Sequence, residues 1–517
     1  MFRIPQRIPA ATCILVALLL GAIGALWLAA MNPGFFSYVL ALISLALLAL
    51  AVYHRLQRKK AILRNFPLVG GLRYFLESIR AELRQYFFES DLDGRPFNRR
   101  QRSLVYQRAK NQRQTVAFGM LDDPMRPGFE WVSHALFPLK GSLPELRTWI
   151  GGPQCMVPYQ ASLLNIGAMS YGALSRTAVT ALNQGARLGG FAHNTGEGGI
   201  SPYHLEGGDL IWQIGTGYFG CRDEAGRFSA SAFREKARMP QVKMIELKLS
   251  QGAKPGHGGL LPASKNTAEI AAIRLVKPGI PVHSPASHTA FQSPKGLIRF
   301  LQTLRELSGG KPVGFKLCLG QPEELELICR AIRSTGILPD FITVDGAEGG
   351  TGAAPLEFTD SVGMPLLDAL SEVTRILRSC QLDRDIKVIA SGKLVTAFDI
   401  LKVLAMGASA CYSARGMMLS LGCIQALVCD SGRCPTGVAT QDPALYRGLD
   451  PGDKSVRVAS YHAATIRAVG ELMQACGFAT PEDIRPDRFF RRMPDFSARS
   501  FQSIYGKFRV STQPAQT

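Results

Sequence analysis

From about residue 160 onward, short runs of β-branched residues alternate with longer stretches of helical periodicity. This alternation is typical of a parallel sheet whose strands are joined by helices. We predict eight strands and a (β/α)8 barrel, an α/β fold, because Gly-rich or polar residues follow almost every run. The alternative is a doubly wound open sheet, but GAMSYG after the first strand lacks the GxGxxG pattern of that fold. The predicted strands start near Leu163, Gly190, Met244, Ile280, Pro312, Phe341, Lys387 and Ala408.

Four glycine-rich loops follow the first, second, third and sixth predicted strands. They read GAMSYGALS (167–175), NTGEGG (194–199), QGAKPGHGG (251–259) and DGAEGGTG (345–352). Glycine has no Cβ, so the backbone can pass close to a ligand. Any one loop could be a plain turn. Four of them on one rim, three with a charged residue, predict a ligand site at the carboxyl ends of the strands.

The ends of the last two predicted strands favour a phosphate site. Ser391, Gly392 and Lys393 follow the seventh strand, and Ala414-Arg415-Gly416 follows the eighth. Barrels often bind phosphate there through backbone amides at a short helix N-terminus. The alternative is that both loops merely cap helices near the surface.

Lys316 lies inside the apolar run VGFKLCL of the fifth predicted strand. A buried lysine is costly unless it is paired or lies against an anionic ligand. A nearby carboxylate would satisfy it. The more specific interpretation is the N1–C2=O edge of a flavin ring, which becomes anionic on reduction.

Two apolar segments precede the barrel, at residues 11–31 and 35–53, with Asn32-Pro33-Gly34 between them. Each has about the twenty residues needed to cross a bilayer. We therefore predict a two-helix transmembrane hairpin within residues 1–65. A cleaved signal peptide is the alternative for the first segment, but the segment is too long and a second one follows at once. A buried helical hairpin is the other alternative.

The formal net charge of +19 is partly explained by this anchor. Residues 1–65 contain no acidic residue and seven basic ones, at Arg3, Arg7, Arg55, Arg58, Lys59, Lys60 and Arg64. Both flanks of the hairpin are basic and its turn is not, so the positive-inside rule predicts a multi-pass cell-membrane protein with a cytoplasmic catalytic domain. We find no nucleic-acid-binding motif and expect no nucleic-acid partner.

Three of the eleven cysteines crowd together in LGCIQALVCDSGRCPTGVAT. Cys423, Cys429 and Cys434 form a C-x5-C-x4-C run followed by proline, a spacing that suits an iron–sulfur cluster. Four ligands would suggest zinc or a 4Fe–4S cluster, whereas three suggest 3Fe–4S or a missing partner. Three buried cysteines without a metal are the alternative.

Together these motifs resemble one family, the FMN-binding synthase domain of glutamate synthases. The similarity covers residues 154–441 and includes GAMSYGALS, NTGEGG, QGAKPGHGGLLP, DGAEGGTGAAP and GC-x5-C-x4-CPTGVATQ in that order. The combination is specific, whereas a GxGG loop alone would not be. The resemblance implies a barrel that binds FMN and a 3Fe–4S cluster and reduces 2-iminoglutarate to L-glutamate.

The resemblance and the loop positions give a candidate role to each site residue. Those expected to bind FMN are Ala168, Met169, Ser170, Gln251, Lys316, Ser391, Gly392, Lys393, Arg415 and Gly416. Those expected beside the substrate are Lys254, Glu197, Gly349 and Gly350. The catalytic candidates are Lys254, His257 and Lys316, and the cluster ligands are Cys423, Cys429 and Cys434.

The chain also departs from the family pattern. We expect no glutaminase domain and no pyridine-nucleotide domain, so a separate electron donor, ferredoxin-like or a reductase, would supply electrons through the cluster. His257 stands where the family loop usually has glutamate, a residue associated with ammonia delivery. We therefore expect free ammonia, or glutamine-derived nitrogen from a glutaminase partner. The remaining segments are expected to be an Arg-rich helical connecting region (66–150), the barrel with its cysteine loop (151–441) and a helical C-terminal tail (442–517).

The predicted reaction is hydride transfer from FMN to the imine made from 2-oxoglutarate and ammonia, in glutamate biosynthesis. Lys316 would stabilise charge on the ring, Lys254 would bind a substrate carboxylate, and His257 would donate a proton. Two alternatives remain: an FMN oxidoreductase acting on another amino or imino acid or a secondary amine, and a membrane-tethered subunit or scaffold active only with partners.

Overall fold

The computed structural model describes residues 9–112, 114–142 and 145–506. The chain divides into two compact units, with the boundary between Arg99 and Arg100. The first unit contains the two predicted apolar segments, and both are helices, Ala10–Met31 and Phe35–Leu56. They are long and apolar enough to span a membrane, and most of their side chains are exposed. Shorter helical segments follow at Ala61–Asn65, Val69–Ser78, Arg80–Leu83 and Arg84–Phe88.

The second unit contains a closed barrel of eight parallel strands, which confirms the predicted fold class. In chain order we label the barrel strands β1 (Leu164–Ile166), β2 (His193–Asn194), β3 (Leu210–Ile214), β4 (Val242–Lys248), β5 (Val313–Leu317), β6 (Phe341–Asp345), β7 (Lys387–Ser391) and β8 (Ala410–Ser413). Each strand pairs with its neighbours in the chain, and β8 closes on β1.

One strand assignment made from sequence was wrong, and one barrel strand was missed. The run at Ile280 contributes Val282–His283, which pairs antiparallel with Leu260–Leu261 outside the barrel. The barrel's third strand is instead the fully buried run Leu210–Ile214, which lies between glycine pairs and was overlooked. Both are short apolar runs bounded by turn residues, so only their partners distinguish a barrel strand from a hairpin strand.

Helices pack around most of the barrel, and capping side chains explain where several begin. Ser175 accepts a hydrogen bond from the backbone N–H of Ala178, and Thr396 forms a capping box with Asp399. The helices between barrel strands are Arg176–Gly189, Ala230–Ala237, Ala268–Arg274, Pro294–Ser308, Pro322–Thr335, Leu356–Ser361, Leu366–Ser379 and Ala397–Ala405. In the described residues, the connection from β2 to β3 contains one short element, the 3-10 turn Pro202–His204.

The segments flanking the barrel contain strands as well as helices. Glu130–Val132 forms an antiparallel sheet with Phe489–Arg492 and Ala498–Ser500, so residues far apart in the chain meet. Arg147–Ile150 pairs with Tyr159–Ser162 just before β1. The other helices of this unit are Arg99–Ala109, Arg415–Ser420, Pro443–Tyr446, Pro451–Cys476 and Phe501–Tyr505.

Candidate active site at the carboxyl rim of the barrel

One cavity lies at the carboxyl ends of the barrel strands. The four glycine-rich loops identified in the sequence all contribute to its wall, together with the segment after β8. Of the predicted site residues, those lining it are Ala168, Met169, Ser170, Glu197, Gln251, Lys254, Gly350, Arg415 and Cys429. The carboxyl rim is where barrel enzymes place their chemistry.

Basic side chains outnumber acidic ones in the wall of the cavity. The basic ones are Lys248, Lys254, Lys265, Arg274 and Arg415, and the acidic ones are Glu197 and Asp430. Low-dielectric walls strengthen the field of such an excess. The cavity is therefore suited to an anionic ligand.

Lys248 and Lys316 lie side by side on β4 and β5, in the same register. Each has its own carboxylate: Lys248 Nζ lies 2.8 Å from Glu197 Oε1, and Lys316 Nζ lies 3.2 Å from Asp345 Oδ2. Burial alone would raise the pKa of Glu197, but the ammonium of Lys248 outweighs it and the pKa is lowered. The pKa of Lys316 is raised, because Asp345 and Glu246 outweigh the effect of burial. The charged forms of Glu197 and Lys316 are thus favoured.

Asp345 also fixes the loop after β4. Its Oδ2 accepts a hydrogen bond of 2.9 Å from the backbone N–H of Gly252, so one carboxylate contacts both Lys316 and this loop. A Cβ at Gly252 would overlap the carbonyl oxygen of Gly346, so only glycine permits this approach. Asp345 was not among the residues predicted from sequence.

Lys254 is the exception among the buried lysines at this rim. Its residue is only 5% exposed and it lines the cavity, yet it forms no ion pair or side-chain hydrogen bond with any described residue. Burial and the neighbouring ammonium of Lys248 lower its pKa, against the opposing effect of Glu197. A buried ammonium without a counterion is costly, so this group is suited to binding an anion.

Arg274 is another basic residue of the cavity wall, and it was not predicted from the sequence. Its guanidinium donates a 3.1 Å hydrogen bond to the carbonyl of Tyr171 and lies 5.1 Å from the ring centre of Phe219. Burial lowers its pKa to about 10, although Glu197 opposes that effect. Arg274 ends a short helix and carried no recognisable signal. Lys248, also missed, lies in a β-branched run just as Lys316 does and could have been found by the same argument.

Beneath the cavity, a fully buried carboxylate organises the barrel interior. Glu246 accepts hydrogen bonds from Asn194 Nδ2 (2.8 Å), Gln213 Nε2 (2.7 Å) and Thr343 Oγ1 (2.6 Å). These donors come from β2, β3 and β6, so the network joins four strands. Satisfied buried polar networks rigidify the elements they connect.

The predicted phosphate loops are only partly in the cavity. Ala414 and Arg415 line it, and Arg415 donates a 2.8 Å hydrogen bond to the carbonyl of Glu348. Ser391, Gly392, Lys393 and Gly416 do not line it, nor do Lys316 and Gly349. A Cβ at Gly416 would meet the hydroxyls of Ser413 and Tyr461, so this glycine is required by packing. A flavin role for these residues stays a prediction.

His257 is exposed at the tip of its loop, away from the cavity lining. Its ring packs edge-on against Phe358, with 5.3 Å between the ring centres, and Nδ1 lies 2.9 Å from the carbonyl of Gly258. The His257 side chain thus lies outside the cavity that Lys254 lines. The catalytic role of His257 stays a prediction.

The three clustered cysteines are free thiols in one loop after β8. They lie close enough for Cys429 and Cys434 both to raise the pKa of Cys423, although burial is the main cause of that rise to about 11. Tyr106 donates to the carbonyl of Cys423 and Lys265 to that of Cys429, each at 2.7 Å. As placed, no three His, Cys, Asp or Glu side chains of the described residues are arranged to hold a metal ion.

The cavity fits an anionic nucleotide cofactor. Its basic residues can neutralise phosphate, and a Cβ at Gly350 would overlap the guanidinium of Arg415, so glycine keeps this part of the wall open. Fold and site together define the class of protein as a barrel enzyme that binds anionic ligands at its carboxyl rim.

The family is shown by comparison with known proteins. Residues 156–479 match the conserved region in glutamate synthase, and the chain belongs to this family. It is 38% identical to the glutamate synthase large subunit-like protein YerD of Bacillus subtilis, over 87% of this chain and 94% of that protein. The chain is therefore an FMN-dependent oxidoreductase of the glutamate synthase type, as the sequence motifs predicted.

Other known proteins are less similar to this chain. The archaeal glutamate synthase [NADPH] of Methanocaldococcus jannaschii is 36% identical, over 62% of this chain and 60% of its own length. Among solved structures, a lactate oxidase of Pediococcus acidilactici is 15% identical, with a TM-score of 0.44 over 82% of this chain and 93% of that one. A TM-score this low supports no conclusion about function.

Proposed function

We propose that this chain reduces 2-iminoglutarate, formed from 2-oxoglutarate and ammonia, to L-glutamate. The observation that carries the proposal is Lys254, a buried ammonium that lines the cavity without a counterion among the described residues. A substrate carboxylate would supply the missing anion. FMN, when bound, supplies the hydride, while the protein binds and orients the substrate.

The charges of the cavity favour a dicarboxylate. Glu197 neutralises Lys248, whereas Lys254 and Arg274 form no ion pair with the described residues. Two of the basic side chains without a carboxylate partner among the described residues, Lys254 and Arg274, would then bind the two carboxylates of 2-oxoglutarate. A monocarboxylate 2-oxo acid would leave one cation unpaired, at a cost of about 1–3 kcal/mol.

The full chain, loaded with FMN and chemically reduced, provides the test. We expect 2-oxoglutarate with ammonia to reoxidise it and to yield glutamate. 2-Oxobutyrate with ammonia, the matched monocarboxylate control, should react at least about tenfold more slowly. If the reduced chain instead reacts only with another imine or with a secondary amine, the alternative substrate class is correct and the glutamate assignment fails.

We infer that nitrogen arrives as ammonia, either free or from a partner protein. His257 replaces the glutamate that the family loop usually carries, which supports this inference. Glutamine alone should therefore support little reoxidation of the reduced chain. Reoxidation by glutamine at the rate seen with ammonia would contradict it.

We propose that Cys423, Cys429 and Cys434 bind a 3Fe–4S cluster. Their spacing, the family resemblance and their closeness in one loop support this. Anaerobically purified chain should contain about three iron atoms, and Cys434→Ser should lose them while retaining FMN. Wild-type chain without iron would show that the three cysteines are structural. A separate ferredoxin-like protein or reductase would be the electron donor.

We also propose that helices Ala10–Met31 and Phe35–Leu56 anchor the chain in the cell membrane with the barrel in the cytoplasm. Their length, their exposed apolar side chains and the basic flanks support this. A reporter fused after residue 65 should be active only in its cytoplasmic form. Activity of a reporter that works only outside the cytoplasm would show the opposite topology, with the barrel outside the cytoplasm.

A further inference from the structure

The segment after the second apolar helix exposes a continuous apolar face. In helix Val69–Ser78, successive apolar residues fall within about one third of the helix circumference, because they recur at three- and four-residue spacing. Their exposed fractions are large: Val69 65%, Leu72 59%, Phe75 58% and Leu76 46%. Ile79 and Leu83, which follow this helix, are half-buried. Exposed apolar faces of this kind mark interaction surfaces.

Hydrogen bonds hold this segment at the end of the second apolar helix. The backbone N–H of Leu68 donates to His54 Nδ1 at 3.1 Å, and Arg64 Nε donates to the carbonyl of Arg55 at 3.3 Å. A Cβ at Gly70 would lie 3.1 Å from the backbone of Ile62, so the two short helices pack closely. The apolar face therefore begins where the proposed membrane span ends.

The charges around this segment match an anionic bilayer surface. No acidic residue precedes Glu77, whereas a basic run begins in the last turn of the second apolar helix and continues after it, with Arg55, Arg58, Lys59, Lys60 and Arg64. Lys60 Nζ lies 4.4 Å from the ring centre of Tyr74, which brings this basic run beside the amphipathic helix. Basic residues next to a membrane span attract anionic lipid headgroups.

We propose that helix Val69–Ser78 lies in the headgroup region of the bilayer, with Leu72, Phe75 and Leu76 inserted at the acyl boundary and the basic run against anionic phospholipid. Amphipathic helices with exposed apolar faces and basic flanks bind membranes in this orientation. The inference rests on the proposed membrane hairpin, since that anchor supplies the bilayer. In this arrangement the first unit binds the membrane surface through helix Val69–Ser78, in addition to crossing the bilayer through the hairpin.

Photocrosslinking of the full chain in vesicles of phosphatidylethanolamine and phosphatidylglycerol tests this proposal. The photoreactive residue p-benzoylphenylalanine is placed at Phe75, at the exposed Glu77 on the opposite side of the same helix, or at Leu42 in the second apolar helix. We expect phospholipid adducts from Phe75 in a yield within about threefold of that from Leu42, and only background from Glu77.

The Leu42 position separates the two proposals. Adducts from Leu42 but none from Phe75 would overturn the interfacial helix and leave the anchor intact. The absence of adducts at both positions would overturn the anchor, and the interfacial helix with it. Crosslinks from Phe75 to the same chain or to a second copy, in place of lipid, would show that protein covers this face.

Discussion

Two neighbouring regions of the barrel rim each carry a buried lysine, but the lysines differ in their surroundings. Lys316, within β5, is paired with Asp345 at 3.2 Å and does not line the cavity. Lys254, in the loop after β4, lines the cavity and has no ion-pair partner among the described residues. Burial disfavours both ammonium groups, but the pKa of Lys316 is raised by its carboxylates and that of Lys254 is lowered. A paired buried charge is already compensated within the protein and is costly to leave without its partner, whereas an unpaired one is available to a ligand.

The largest effect is expected from removing the paired lysine. Lys316→Met leaves the carboxylate of Asp345 buried without its cation, which should destabilise the barrel by about 3–5 kcal/mol. The melting temperature of the full chain in detergent measures this. The double variant Lys316→Met/Asp345→Asn should recover much of the loss. If Lys316→Met is as stable as wild type but no longer binds FMN, Lys316 contributes to flavin binding and its ion pair contributes little to stability.

The unpaired lysine should affect ligand binding more than stability. Lys254→Ala removes one charged contact, worth about 1.5–3 kcal/mol, and should weaken 2-oxoglutarate binding about 10- to 100-fold. Titration of the oxidised chain, followed by flavin absorbance, gives the Kd. FMN content and melting temperature should stay near wild type. A large loss of FMN with unchanged Kd would place Lys254 at the cofactor instead.

Binding of 2-oxoglutarate should also depend on pH through Lys254. Because the pKa of Lys254 is lowered by burial and by Lys248, its charge is present below that pKa and is lost as pH rises through it. The Kd should therefore begin to increase at a lower pH than it would if Lys254 had the pKa of an exposed lysine. Lys254→Arg should keep its charge to a higher pH, since a guanidinium loses its proton less readily than an ammonium in the same surroundings. Parallel pH profiles for the two proteins would assign the titration to another group.

The smallest effect is expected at His257, which shares a loop with Lys254 but is exposed. His257→Ala should change the Kd for 2-oxoglutarate by no more than about twofold, as is typical of exposed substitutions worth about 0.5 kcal/mol. The rate of reoxidation by ammonia is measured alongside. A tenfold or greater fall in that rate would support the predicted role of His257 as proton donor.

The sequence alone determined the class of fold and the family. Periodicity located both apolar helices and seven of the eight barrel strand regions, because side-chain burial in these elements leaves a pattern in the chain. The glycine-rich motifs identified the four loops that line the cavity, since only glycine permits the close backbone approach seen at Gly252.

Other features were decided only by tertiary structure. The run at Leu210–Ile214 pairs in the barrel and the run at Val282–His283 pairs in a hairpin, although each is a short apolar segment bounded by turn residues. Likewise, the local sequence places Lys316 in an apolar strand and Lys254 in a glycine-rich loop, but it does not show which of the two lysines has a carboxylate partner. Strand pairing and ion pairing both depend on which residues the closed barrel brings together, and the local sequence does not encode that proximity.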